Sequence, residues 1–174
     1  MGQISAAIAG NIATVIGLGE LLCKDIPGDR FARLAVADGE PIISNHPGFV
    51  IGHMSMYPAY CVEAITGNTG SAAYPDSYEE LFVKGAECRD DNKGLIYPNK
   101  DDLLTVFAAT HKAAAEAIAD MDDARLTAPN PIERLVERFP TLGSILVFFM
   151  QGHAMMHLGQ LSAWRRMERM GSAF

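Results

Sequence analysis

Apolar positions recur every three to four residues in four separate stretches of this chain. Between Gln3 and Lys24 they fall at Ile4, Ile8, Ile12, Val15, Leu18 and Leu22, the spacing of one face of an amphipathic helix. Ile26-Pro27-Gly28-Asp29 ends that segment, and residues 30–44 read as a loop with one short helical turn. A second helix is expected from Pro47, which suits a first-turn position, to Thr66, with Gly67-Asn68 as its stop. Its stripe is Phe49, His53, Tyr57, Tyr60 and Ala64. Pro58 lies inside it and removes one backbone hydrogen bond, which predicts a kink between Met54 and Pro58.

Residues 67–99 form a long crossover. Within it Ser77-Tyr-Glu-Glu80 has the spacing of a capping box that opens a short helix, and Gly94 and Pro98 mark irregular chain beyond. A third long helix starts after Asn99, with Asp101 and Asp102 favourable in its positive first turn, and its stripe is Leu104, Phe107, His111, Ala114, Ile118 and Met121. Ala128-Pro-Asn-Pro131 breaks the chain, and Pro131 to Arg138 suits a short helix before Pro140. The last long helix is expected from Thr141, as its cap, to Met170. β-Branched residues never alternate over a useful length, so no strand is expected. Four long amphipathic helices with a long connection between the second and third predict an all-α four-helix bundle.

At 174 residues and 49% hydrophobic composition, the chain is expected to form one domain over residues 1–174. Fourteen basic against 21 acidic residues leave a net charge of −7, which disfavours nucleic acid, and no basic cluster stands out along the sequence. Cys23, Cys61 and Cys88 are scattered and odd in number, which fits reduced thiols better than a disulfide framework. No Lys or Arg precedes Lys24, no lipidation signal is complete, and no run is expected to reach the ~18 apolar residues of a span. A cytoplasmic protein without membrane association is expected.

The chemistry concentrates in histidines. Gln151-Gly-His153-Ala-Met-Met-His157-Leu-Gly-Gln160 carries two of them at i and i+4, on one helical face. His53, in Ile51-Gly-His53-Met54, lies on the apolar stripe of another helix. A single histidine on such a stripe is more often a satisfied core residue. Three together would leave several ring nitrogens without partners at about 1–3 kcal/mol each, a cost that a shared divalent ion removes. Three imidazoles with an open fourth position are the ligand set of a catalytic rather than a structural site. Ala154 follows His153, so the glutamate of H-E-x-x-H metalloproteases is absent. No cysteine or acidic residue lies within a turn of any of the three. His111 reads as core or pocket lining ahead of a fourth ligand or an orienting group. His46, before Pro47, reads as a helix-terminal surface residue, and Arg165-Arg166 as a solvated helix end. Tyr57, Tyr60, Phe149 and Trp164 are at helical spacing from the ligands and read as packing, with Tyr57 and Tyr60 candidates for the pocket. Gln160, a turn beyond His157, could hydrogen-bond a group in the layer around the ligands or line the pocket.

These residues resemble the DinB-like superfamily of metal-binding helical bundles, which includes thiol-dependent S-transferases and maleylpyruvate isomerases. The stretch from Thr141 through His153-x-x-x-His157-x-Gly159-Gln160 to Arg165-Arg166 is similar to its last-helix signature, and Ile51-Gly-His53-Met54 resembles the helix that supplies its single histidine. The resemblance implies His53, His153 and His157 as ligands of zinc or nickel, an up-down-down-up bundle, a homodimer, and a low-molecular-weight thiol as a possible cofactor. The expected function is metal-dependent chemistry on a small molecule: thiol S-transfer, isomerisation or hydrolysis. A non-catalytic or stress-associated metal-binding bundle is the alternative.

Overall fold

The computed structural model describes residues 2–173. It is mostly helical. Helices α1 (Gln3–Cys23), α2 (Pro47–Thr66), the short α3 (Ser77–Phe82) and α4 (Lys100–Ala119) are followed by α5 (Leu142–Val147), a π-helical stretch (Phe148–His153) and α6 (Ala154–Met167) in unbroken succession. Each of α1 and α2 packs against both α4 and α6. The buried face of α1 is Ile8, Ile12, Val15, Ile16 and Leu22, and that of α4 includes Leu103, Phe107, Ala114 and Ile118. The expected stripes thus hold with two shifts: Ile4 is exposed and Leu103 rather than Leu104 is buried.

The ends of the helices are tied to one another. Gly2 N–H donates to Met121 O beyond α4, while Lys100 at the start of α4 donates to Lys24 O and Ile26 O past the end of α1. Arg125, after α4, donates to Ile65 O at the end of α2. Arg165, near the end of α6, donates to Leu22 O and pairs with Asp25 past the end of α1. Arg165 is therefore buried, at 2% exposure, and not the solvated helix end its position suggested. The carbonyls at the end of α1 need donors, and the guanidinium reaches them from the neighbouring helix.

Several local expectations are corrected. A small hairpin pairs Val36–Ala37 with Glu40–Pro41, turned by Asp38 and Gly39 at positive φ; two-residue strands are too short to show alternation. Ser77 is the first residue of α3, not its cap, and no side chain caps that helix. Pro131–Arg138 holds one 3-10 turn, Glu133–Leu135. Thr141 does cap α5, in a box shared with Ser144. The last helix ends at Met167 because Arg169 takes a left-handed conformation, φ 60°. His46 does lie at a helix terminus, as the cap of α2, but it is fully buried: its Nδ1 accepts from Phe49 N–H and its Nε2 lies 3.1 Å from Arg89 O. Finally, α1 is long and apolar enough, by length and composition alone, to cross a membrane, with mean hydropathy 1.7. Ser, Gly, Asn and Thr interrupt its apolar run without lowering that average much.

Two apolar clusters fill the interior. One joins Phe31, Phe49, Phe82, Phe107 and Trp164; the other joins Ile12, Ile65, Ile118, Leu146 and Phe149. Tyr57, Tyr60 and Tyr74 pack against both.

Burial keeps His46 and His111 neutral, pushing each down to about 4. The unfolded chain binds these protons near the ordinary value of 6.5 and the native one does not. Stability of the metal-free protein should therefore fall as pH drops from about 6.5 to about 4, by about 1.4 kcal/mol per pH unit for each histidine. Urea melts across that range measure it. His111→Gln should lower the slope by one proton's share, and an unchanged slope would show that His111 is protonated in the fold.

Candidate metal centre

His53 projects from the middle of α2, His153 from the end of the π-helical stretch and His157 from the first turns of α6. Their ligand atoms all lie within 4.8 Å of one another. His153 Nε2 and His157 Nε2 are 3.1 Å apart, a separation that two nitrogens span on one ion at bond lengths of about 2.0–2.1 Å. Two nitrogens on one tetrahedral ion are about 3.4 Å apart, so a spacing at the upper limit closes with a movement of about 1.4 Å. All three rings are buried.

The orientation of the rings follows from what their other nitrogens do. His53 Nδ1 sits 2.6 Å from Phe82 O. A carbonyl only accepts, so this nitrogen carries the proton and Nε2 is left with a lone pair. His157 Nδ1 lies 3.0 Å from Gln160 Oε1, and the same oxygen accepts from Asn45 Nδ2 at 3.0 Å. Gln160 thus bonds directly to His157, a candidate ligand, rather than to a group behind it. His153 is held by ring packing, with Tyr57 at 3.9 Å between centroids.

Phe82 reaches this position because α2 has no side chain at Gly52. A Cβ there would lie 2.4–2.5 Å from the Phe82 ring. A glycine inside a helix costs about 1 kcal/mol relative to alanine, and here it lets the Phe82 carbonyl approach His53.

Desolvation lowers the pKa of all three histidines. His153 is pushed down to about 3 by burial, then by His157 and His53. His157 goes to about 4 through burial and His53, against the Gln160 contact, and His53 shifts down through burial. The rings are neutral, the form that ligates a metal. The donor set therefore fits a divalent ion. Among the described residues no carboxylate or thiol joins the cluster.

A cavity of about 470 Å³ opens over the histidines. Tyr57 and Tyr60 line it as expected, and so do Phe49, Phe82, Phe148 and Phe149. His111 does not: it is buried beside Phe107, its Nδ1 2.8 Å from Phe107 O. Trp164 is core, its indole N–H donating to Arg33 O. Asn45, Lys84, Arg134 and Arg138 also line the cavity and were not singled out by the sequence. They sit in loops and turns, where no periodicity marks a functional face. Cys23 and Cys61 are buried and Cys88 is half-buried. Burial pushes Cys23 up to about 12 and Cys88 to about 11, so any reactive thiol would come from outside the chain.

A sequence profile of the DinB superfamily matches residues 8–161, which takes in all three histidines and Gln160. The chain belongs to the DinB superfamily. No curated protein and no solved structure matches it. Family membership and the three-histidine cluster are both compatible with metal binding.

Gly52→Ala should destabilise the protein by about 1–3 kcal/mol, as overpacking of a filled core does, in contrast to the stabilisation of an ordinary helical glycine replaced by alanine. Chemical denaturation measures it. A neutral or stabilising effect would show that Phe82 can move away freely.

Proposed function

We propose that this DinB-superfamily protein binds one divalent metal, zinc or nickel, through His53, His153 and His157 and acts as a metal-dependent enzyme on a small molecule. The observation that carries the reading is the convergence of three neutral, oriented imidazoles at the floor of a cavity. Bound there, the ion would supply Lewis acidity, which brings a thiol or water to nucleophilic form near neutral pH. The chain's own part is to hold the ring nitrogens in place through Phe82 O and Gln160, to leave a fourth position free, and to enclose the substrate between aromatic walls. The reaction class is S-transfer with a low-molecular-weight thiol, isomerisation through a thiol adduct, or hydrolysis.

The helices are read as an up-down-down-up bundle. The reading is supported by the ends that meet: the start of α1 with the end of α4, the ends of α2 and α4, and the ends of α1 and α6. The long connection from α2 to α4 then joins two parallel helices. A homodimer is read from the exposed side of α1 and α6, where Ile4, Leu21 and Met155 stand out in water beside the small residues Ala6, Gly10, Ala13 and Gly17. The protein is read as cytoplasmic, with α1 a core helix.

Elemental analysis should find about one metal per chain in the wild type and none in His153→Ala/His157→Ala. Metal retained by the double variant would sink the assignment. Gln160→Ala should weaken metal affinity about 10–100-fold, as loss of an orienting partner does. Turnover of a thiol with an electrophile, lost with the metal, is the expected mark of the enzyme. A metal-loaded protein whose cobalt-substituted spectrum no thiol or anion perturbs would be a binding protein instead. Light scattering at micromolar concentration should give twice the 18.8 kDa chain mass.

A further inference from the structure

The cavity over the histidines is cationic in a protein that is acidic overall. Lys84, Arg134 and Arg138 line it and no aspartate or glutamate does, although the whole chain carries 21 acidic against 14 basic residues. The three come from two distant segments, the turn after α3 and the stretch before α5. Glu133 and Glu137 neighbour the arginines in sequence, but they are exposed and form no part of the wall. Among the described residues the ion pairs are those of Arg30, Arg33 and Arg165; the three cavity cations have none.

Aromatic rings hold one of these cations in place. The Arg138 guanidinium lies 5.5 Å from the Phe139 centroid and 5.7 Å from that of Phe148, and the two rings stack at 4.5 Å. A guanidinium over an aromatic face keeps its N–H fork available to a planar acceptor. Tyr57, on the same wall, has its ring centroid 3.9 Å from that of His153, the planes tilted by 41°. Positive charge and the three histidines thus line one cavity, whose wall is otherwise mainly aromatic. Apolar walls with a few convergent polar groups are what orients a small ligand.

We propose that the cavity takes a small organic carboxylate with an apolar, aryl-bearing body. Arg134 and Arg138 bind the carboxylate, the ring packs against Phe148, Phe149 and Tyr57, and the far end points at the histidines. The identity of the substrate rests on the metal-centre reading above, since that end must reach the metal to react. Recognition of the carboxylate does not need the metal, so the two can fail separately.

The experiment is calorimetric titration of 4-phenylbutyrate, its uncharged amide and inorganic phosphate. The proteins are the wild type, Arg134→Gln/Arg138→Gln, and Arg169→Gln as an exposed control outside the cavity, each metal-free and zinc-loaded. Circular dichroism checks that the variants are folded; the two cavity arginines are exposed and outside the core. In metal-free wild type the carboxylate should bind at least tenfold tighter than the amide, and phosphate, which lacks the body, at least tenfold weaker than the carboxylate. The preference should vanish in the double variant and survive in Arg169→Gln. Equal binding of acid and amide, a preference that persists without the arginines, phosphate binding as tight as the carboxylate, or no binding up to millimolar concentration would each overturn the proposal. A preference seen only with zinc would overturn it too, while leaving the metal centre intact. A tenfold preference in a protein that takes up no zinc would sink the metal reading alone.

Discussion

Three imidazoles buried at one point impose a demand that the rest of the molecule is arranged around. In a low-dielectric interior each ring stays neutral, with one N–H and one lone pair. Phe82 O and Gln160 Oε1 take the N–H of His53 and His157, so the lone pairs on the opposite nitrogens are turned towards each other and towards His153. Two lone pairs 3.1 Å apart repel unless something positive lies between them. A proton on His153 Nε2 answers for that pair only and leaves His53 facing the cavity. A single divalent ion would answer for all three, and the two orienting hydrogen bonds are what makes the lone pairs of His53 and His157 available to one.

The helices bend to the same demand. An uninterrupted α-helix from Thr141 onward would set every ring by the 3.6-residue repeat alone. The π-helical stretch Phe148–His153 widens one turn that ends on His153 and sets Phe148, Phe149 and His153 in the cavity wall; such insertions concentrate at functional sites. On α2 the matching device is Gly52, whose missing side chain admits the Phe82 ring. Both features are locally unfavourable for a regular helix, and both stand beside a candidate ligand.

Much of this was legible in the sequence because it depends on periodicity. The i, i+4 spacing of His153 and His157 and the stripe position of His53 survive folding, since helix geometry fixes which side chains share a face. So do the bounds of α1 and α2, to within a residue, and the start of α4. What failed depended on neighbours. His46 and Arg165 sit where a helix end normally meets water, but His46 is covered by Tyr97 and the Arg89 backbone, and Arg165 by the end of α1. The π-helical stretch has no periodic signature of its own, and the hairpin is too short to have one. The cavity cations are invisible for another reason: Lys84 and Arg134 are fifty residues apart in sequence, so no window along the chain contains them as a cluster.

The three histidines and Gln160 lie on helical segments within the matched region, where packing tolerates little change. The groups that a substrate would meet first, Val83 to Ala86 and Arg134 to Phe139, lie mainly in connections. Connections tolerate substitution and insertion without disturbing a core, so the same histidine floor can sit under different walls. In this chain the wall is aromatic and positively charged. Exchanging those two connections, while leaving α2 and α6 untouched, would therefore change the wall that a ligand meets without moving the three histidines.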